Sequence, residues 1–280
     1  MVCGALRSWS RPAYRLFFCA SRIRAQLLRP DPDLLLFSVR TGVETMNLHE
    51  RKETAVHHAM ALSGGFFGMY ALMIRSATFG SSETSNLIYL VVAGLSGSLH
   101  SFLIRLGALV CYIAGIVFAT LMPKILKKPD FRYISIGIDI LACLMLAQLP
   151  EELDPVLALY PMFFATAVQW LAFTGAAGYN SATIFSTNNL RQCFASLSEY
   201  LYEKKPEQKR KCAFYAGTLL CFHLGVIYCW GSLRFFGVQS IYACLPLLAL
   251  PLAMLVLNEE RHPAIFKLFA LSRFSLKGAH

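Results

Sequence analysis

The chain has 280 residues, of which 56% are apolar and only 15% are charged, and its mean hydropathy is +0.51. A soluble domain is about 45–50% apolar and about 25% charged, so this composition excludes an ordinary soluble globule. The formal net charge of +10 would fit nucleic-acid binding, but most basic residues lie in the N-terminal segment, the loops and the tail. That distribution is typical of membrane proteins, and we expect no nucleic-acid partner.

Residues 1–45 form a basic extension with seven arginines and three acidic residues. Arg-rich segments with few acids resemble organelle transit peptides, which would place the protein in an organelle membrane. Met46 begins a more ordinary N-terminus, so the extension fits a start codon assigned too early equally well. Both interpretations stay open, and neither predicts a packed structure for this segment.

Long stretches without Lys, Arg, Asp or Glu follow the extension. About 20 apolar helical residues cross a bilayer, and several of these stretches reach that length alone. The sequence predicts six transmembrane helices, at about Ala55–Ile74, Leu103–Pro123, Tyr133–Leu149, Val156–Gly178, Ala213–Leu233 and Ser240–Leu257.

Two polar bends interrupt this pattern, and the first covers residues 75–85. Asn86–Leu95 after it is apolar, but only Arg105 separates this uncharged stretch from that of the next span. One residue cannot turn the chain between two full spans, so we interpret Asn86–Leu95 as a half-helix or re-entrant segment. Thr84 or Ser85 is predicted to cap it. In the second half, the bend YNSATIFSTNNL precedes an amphipathic stretch.

The two halves of the chain resemble each other. GALVCYIAG at Gly107–Gly115 and GTLLCFHLG at Gly217–Gly225 agree at four of nine positions. The bends Thr84–Leu87 and Thr187–Leu190 also match, in the same order. Two ordered matches indicate a duplication. We therefore divide the chain into a first three-helix repeat at residues 46–149, a second at 150–258, and a basic tail at 259–280.

Loop charges predict the orientation of the spans. Residues 124–132 hold four basic residues and one acid, and residues 203–211 hold five and two, whereas residues 150–155 hold three acids and no base. The alternation fits six crossings with both termini on the cytoplasmic, or equivalent, side. Three crossings per half make the second half enter from the opposite face. The predicted fold is an all-α membrane protein with two inverted repeats.

The bends are the best candidates for a substrate site. Half-helix N-termini carry free N–H groups and a positive dipole end, which suit an anion or a carbonyl group. Thr84, Asn86, Thr187 and Asn189 would add polar side chains at equivalent points, which inversion would bring together near the membrane midplane. The alternative is that these residues only cap helices.

A second group of polar residues lies within the spans themselves. Gln169 would bind substrate or hydrogen-bond a neighbouring helix. Asp139 lies in the middle of its span, where a carboxylate costs about 2.5–3.5 kcal/mol. It is a candidate for a proton or cation relay with His57, His58 and Arg105, and the alternative is a neutral core acid.

The bends also resemble the signatures of a known family. Residues 84–86 (TSN) and 187–189 (TNN) are similar to the Thr-Gly-Asn and Thr-Gly segments of the YoaK-type family of small multi-pass membrane proteins, with Ser85 and Asn188 in place of the glycine. The resemblance covers about residues 54–258. It implies a multi-pass membrane protein with permease activity, and it implies no particular substrate.

No enzyme motif is present: the sequence lacks HExxH, P-loop, GxSxG and Rossmann fingerprints. None of the nine cysteines forms a CxxC pair, so we expect no metal, no cofactor and no catalytic residue. The sequence favours a small secondary transporter in the lipid bilayer that carries a small molecule or an ion. The alternative is a non-transporting scaffold or regulatory protein, and a homo-oligomer stays open.

Overall fold

The computed structural model describes residues 47–74, 83–126 and 130–259. The expectations for the N-terminal extension and for most of the basic tail concern residues outside these ranges. Within them the protein is helical apart from one short hairpin and its connections. The helices are α1 Leu48–Ile74, α2 Glu83–Leu95, α3 Leu99–Leu126, α4 Phe131–Gln148, α5 Pro155–Ala158, α6 Tyr160–Ala172, α7 Thr187–Glu203, α8 Pro206–Phe236, the 3-10 helix Gly237–Ala243 and α9 Cys244–Glu259.

Helix α1 contributes a large share of the buried core. Fourteen of its 27 residues are buried, and it packs against α8 and α9. Two of its glycines allow close approach: a Cβ on Gly64 would overlap the Thr183 carbonyl, and one on Gly65 would overlap the Phe222 carbonyl of α8. A helix enclosed by protein need not be uniformly apolar, which explains why α1 also carries buried polar residues such as His57 and Ser63.

The other helix contacts join neighbouring helices of the bundle in pairs. Helix α3 packs against α6, α4 packs against both α6 and α9, α2 lies along α3, and α7 lies along α8. The main core includes Phe67 from α1, Ile136 from α4, Phe163 from α6 and Leu248 from α9. By contrast, only four residues of α3 are buried, and its exposed surface is rich in Leu, Ile and Val.

The two ends of α4 mark two opposite ends of the bundle. At one end an ion pair between Glu53 and Arg132 joins the start of α1 to the start of α4. The start of α8 lies there too, because His58 bonds to the Phe214 carbonyl. At the other end Gln148, the last residue of α4, bonds to the Tyr242 hydroxyl of the 3-10 helix. We call these the basic end and the acidic end, after residues 203–211 and 150–155.

Three helical segments of the described residues are long and apolar enough to cross a membrane: α3, α4 and the continuous stretch Pro206–Asn258. They are compatible with an integral membrane protein. The last has 53 residues, and a straight helix of that length would span about 80 Å, against about 30 Å of hydrocarbon. Gly237, with a φ of 51°, ends α8, and α8 and α9 both pack along α1. The stretch therefore turns back on itself.

The fourth predicted span ends earlier than the sequence indicated. Helix α6 stops at Ala172, and residues 175–180 form a two-stranded antiparallel hairpin instead, with Gly175–Ala176 (β1) paired to Tyr179–Asn180 (β2). Ala177 and Gly178 both have positive φ, at 53° and 77°, which is the geometry of a type I′ turn. The prediction of helix to residue 178 was wrong because apolar composition outweighed this local turn signal.

The first bend also differs by a residue. Helix α2 begins at Glu83, so Thr84 and Ser85 lie inside the helix rather than at its cap. An acidic residue in the first turn interacts favourably with the positive N-terminal end of the helix, and Glu83 supplies it. The predicted separate short helix before α3 is present.

Candidate functional site

The second bend is an irregular segment that runs through the protein interior. Residues 181–184 are non-helical and buried. They pack against α1 at Gly64, where a Cβ would overlap the Thr183 carbonyl. Buried backbone groups without regular partners need hydrogen bonds from side chains. The polar residues around the bend meet this requirement.

Asn189 fastens the bend to the first turn of α7. Its Nδ2 donates to the Ala182 carbonyl at 2.8 Å and to the Phe185 carbonyl at 3.0 Å. Since both acceptors are carbonyls, the orientation of the amide is determined, and Oδ1 must be an acceptor. It accepts from the Ser181 hydroxyl at 2.9 Å. Asn189 is therefore a tether rather than a cap; the cap position is Ser186, which makes no side-chain cap bond.

The same chain of bonds determines the tautomer of His57. Because the Ser181 hydroxyl donates to Asn189, it can only accept from His57 Nε2, which lies 3.0 Å away. His57 Nε2 therefore carries the proton, and Nδ1 has a free lone pair. This side chain is 2% exposed, and its Nδ1 has no hydrogen-bond partner among the described residues. The ring stacks on Phe214 at a centroid distance of 5.5 Å.

Gln169 joins the two halves of the chain at the same bend. Its Nε2 donates to the Thr183 hydroxyl at 3.0 Å and to the Met60 carbonyl of α1 at 3.3 Å. Its Oε1 is buried and finds no partner in the described parts of the chain. Gln169 thus hydrogen-bonds the neighbouring helix α1, which is one of its two predicted roles. Its Oε1 is an unpaired acceptor among the described residues.

A cavity of about 320 Å³ opens beside this network at the basic end. It lies between the start of α1, the end of α3, the start of α4 and the end of α6. Its lining residues are Glu53, Val56, His57, Pro123, Asp130, Phe131, Arg132, Leu171, Ala172, Phe173, Thr174 and Gly175.

The charged residues of the cavity form a connected group. Arg132 Nη1 lies 2.5 Å from Glu53 Oε2, and Nη2 lies 2.5 Å from Asp130 Oδ2. Arg132 Nε also donates to Asp130 Oδ2, at 2.7 Å. All three guanidinium nitrogens therefore point at carboxylates. The group joins α1 to α4 at the basic end.

The first bend is organised differently from the second. Asn86 is fully buried, and its Nδ2 donates to Glu83 Oε1 at 2.7 Å and to the Arg105 carbonyl of α3 at 3.2 Å. The Arg105 guanidinium lies over the Tyr89 ring, 4.6 Å from its centroid. Asn86 thus lies beside the first turns of α3, toward the acidic end.

The predicted site residues do not all meet. His57, Gln169 and Asn189 belong to one buried network around the second bend, toward the basic end, whereas Asn86 and Arg105 lie toward the acidic end. The contacts of the two asparagines do not bring them together. Both threonines of the bends are exposed on the protein surface: Thr84 and Thr187.

Asp139 is not joined by a hydrogen bond to the other members of the predicted relay within the described residues. Asp139 is completely buried, and neither carboxylate oxygen has a hydrogen-bond partner among the described residues. Within the described residues, no hydrogen bond or ion pair joins it to His57, His58 or Arg105. His58 instead donates from Nε2 to the Phe214 carbonyl at 3.1 Å. The role of Asp139 as a relay stays a prediction.

Sequence reasoning missed four residues that the site uses. Ser181 and Thr183 lie in the polar bend that the sequence analysis singled out, but nothing in the local pattern showed that they face His57 and Gln169. Arg132 was counted only among the basic residues of 124–132, and Glu53 was given no role. Their pairing across 79 positions becomes visible only in the fold.

Comparisons with known proteins give a family but no activity. No curated protein and no solved structure matches this chain. A family model matches residues 56–257, which span both bends and all nine candidate site residues from His57 to Asn189. The resemblance to the YoaK-type family is compatible with this match. The chain therefore belongs to the family described as protein of unknown function (DUF1275).

Proposed function

We propose that the protein is a small secondary transporter of six membrane crossings, built from two inverted repeats, with its substrate path between the halves. The observation that carries this proposal is that the helix contacts occur in equivalent pairs. If α1 corresponds to α6, α2 to α7, α3 to α8 and α4 to α9, then the contact of α1 with α8 corresponds to that of α6 with α3. Likewise, the contact of α1 with α9 corresponds to that of α6 with α4, and the α2–α3 contact to the α7–α8 contact.

The equivalence extends to the glycines of the repeated nonapeptide. Gly107 of α3 lies against the Tyr160 side chain, and Gly217 of α8 lies against the His58 side chain. The two glycines are 110 positions apart, and their two partners are 102 apart. The next pair follows the same offsets, which supports a two-fold relation between the halves: Gly115 lies against the Phe164 carbonyl and Gly225 against the Leu62 carbonyl.

A pair of hydrogen bonds follows the same rule. The Tyr160 hydroxyl donates to the Ile104 carbonyl at 2.6 Å. His58 Nε2 donates to the Phe214 carbonyl at 3.1 Å. The donors are again 102 positions apart and the acceptors 110 apart. A side chain at the start of the first helix of each half therefore binds the backbone of the third helix of the other half.

This arrangement supports transport more than a purely structural role. Inverted repeats with interrupted helices are the plan of many secondary transporters, whose sites lie at the repeat interface. Here the buried bend at residues 181–184 lies against α1 of the other half, and the spare acceptor Gln169 Oε1 lies at that interface. We place the substrate path beside Gln169 and propose no enzymatic step for it.

The proposed topology makes the basic end face one side of the membrane and the acidic end the other. We expect single cysteines at Lys127 and Lys205 to react with a membrane-impermeant maleimide from one side only, and a cysteine at Glu151 to react from the other. The unaltered chain measures background labelling of its native cysteines. Labelling of Lys127→Cys and Lys205→Cys from opposite sides would remove the six-span inverted repeat.

The transport proposal is tested with the purified protein in sealed vesicles. A thermal-stability screen against small metabolites identifies a ligand, because a ligand at 100 times its Kd stabilises by about 2.7 kcal/mol. We expect vesicles containing the protein to take up that ligand. Asp139→Asn keeps the side-chain size and removes the ionisable proton, so we expect it to insert normally and to abolish any pH dependence of uptake.

Two results would contradict these expectations. Binding without uptake above protein-free vesicles would favour the scaffold or regulatory alternative. An unchanged pH profile in Asp139→Asn would return Asp139 to a structural role.

A further inference from the structure

The cavity at the basic end has a chemical character that narrows what it could bind. Its described lining carries two carboxylates, Glu53 and Asp130, and one cation, Arg132, so the formal charge of these groups is −1. Arg132 is already engaged by both carboxylates through all three of its nitrogens. A bound anion would have to compete with two carboxylates for this one guanidinium. The charges therefore favour a cation.

A second, independent observation points to the same class of ligand. His57 forms part of the cavity wall, is almost wholly buried, and has its proton on Nε2 because of the bond to Ser181. Its Nδ1 is then an acceptor without a partner among the described residues. A buried acceptor that lacks a donor loses free energy that a ligand N–H would restore. His57 Nδ1 therefore requires a ligand that can donate a hydrogen bond.

The remaining lining and the size of the cavity favour an organic cation over a metal ion as its ligand. Val56, Leu171 and Phe173 give part of the wall an apolar surface. No group of three or more His, Cys, Asp or Glu side chains in the described residues could hold a metal ion. A volume of about 320 Å³ also lies at the lower end of the range of small-molecule pockets.

We propose that this cavity, between the starts of α1 and α4 and the end of α6, binds a small organic ammonium ion. In this arrangement the N–H groups of the ammonium donate to His57 Nδ1 and to the Glu53 carboxylate, and its alkyl part lies against the apolar wall. The inference deepens the proposed transport function by naming a substrate class, but the site itself is a binding claim that does not require transport.

The test is a thermal-stability titration of the purified full-length chain with n-propylammonium chloride. Tetramethylammonium chloride and sodium chloride at equal ionic strength serve as controls. The tetramethylammonium ion is an organic cation without N–H donors, and the sodium ion is neither organic nor a hydrogen-bond donor. We expect a saturable rise in melting temperature with n-propylammonium only. Equal effects of all three salts, or no effect of any, would overturn the proposal.

Two substitutions test whether the ammonium ion binds in this cavity. Glu53→Gln removes a charge, and Arg132 keeps Asp130 as its partner. His57→Gln keeps a donor for Ser181 but lacks an acceptor at the Nδ1 position. We expect each to raise the apparent Kd for n-propylammonium about tenfold or more, since hydrogen bonds to charged groups are the stronger kind. Glu199→Gln, an exposed position on α7, is the matched control and should leave the Kd unchanged.

The outcomes separate this inference from the proposed function. Saturable binding that neither Glu53→Gln nor His57→Gln weakens would overturn the assignment to this cavity. If either variant fails to fold, the comparison of n-propylammonium with tetramethylammonium on the unaltered protein still decides whether N–H donors are required. Binding with the expected variant effects but without uptake into vesicles would support the site and contradict the transport proposal.

Discussion

Replacing Gly65 by alanine should destabilise the protein more than any other single methyl group added to α1. A Cβ at this position would overlap the Phe222 carbonyl, which is backbone and cannot rotate away. The equivalent change on the partner helix, Gly225→Ala, would bring a Cβ onto the Leu62 carbonyl. Both force α1 and α8 apart along the most extensive helix contact of the described bundle.

We expect each alanine to lower the free energy of unfolding by about 3 kcal/mol or more, at the upper end of the overpacking range. The measurement is the melting temperature of the detergent-purified protein, with size-exclusion profiles to detect aggregation. Gly231→Ala, on α8 like Gly225, is the matched control, because no atom lies within 4 Å of where its Cβ would be. It should be neutral or stabilise by up to about 1 kcal/mol, since alanine favours a helix over glycine. Equal melting temperatures of Gly65→Ala and Gly231→Ala would show that α1 and α8 are not in close contact.

The second large effect is expected from Asn189→Ala. This change removes two donors to buried carbonyls, at Ala182 and Phe185, and the acceptor for Ser181. Buried groups left without partners each cost about 1–3 kcal/mol, so we expect a loss of about 3 kcal/mol in the free energy of unfolding. The bend would also lose its attachment to α7.

The neighbouring residues provide the control for Asn189. Asn188 is exposed and accepts a hydrogen bond from nearby Arg191, so Asn188→Ala should change stability by no more than about 0.5 kcal/mol. A small effect of Asn189→Ala on the melting temperature, together with weakened ligand binding, would instead identify Asn189 as a ligand contact. A small effect on both would contradict the tether described above.

Most of the helical layout was predictable from local sequence. The predicted spans at 55–74, 103–123 and 133–149 each lie within, or one residue beyond, a single helix of the structure, and the separate short helix before α3 is present. The placement of the basic and acidic loops on opposite sides of a membrane stays a prediction. The helix positions were predictable because hydropathy acts over stretches of many residues, so single errors average out.

The site was less predictable, because it depends on which residues the fold brings together. His57 and Ser181 are 124 positions apart, and Gln169 and Met60 are 109 apart, so no local pattern could pair them. The expectation that the two bends meet rested on the repeat alone. In the structure Asn86 bonds to α3 and Asn189 to its own preceding loop. A symmetry relation between the two bends would not by itself make them neighbours.

The sequence by itself therefore determined that the chain is helical and strongly apolar, and it located most of its helices, including those long enough to cross a membrane. These features depend on composition and on order along the chain. The tertiary structure decided which glycines allow backbone contact, which amide fastens the second bend, and that Glu53, His57 and Arg132 share a cavity. Those features depend on distances between residues far apart in the chain, and packing sets such distances only when all the helices are in place.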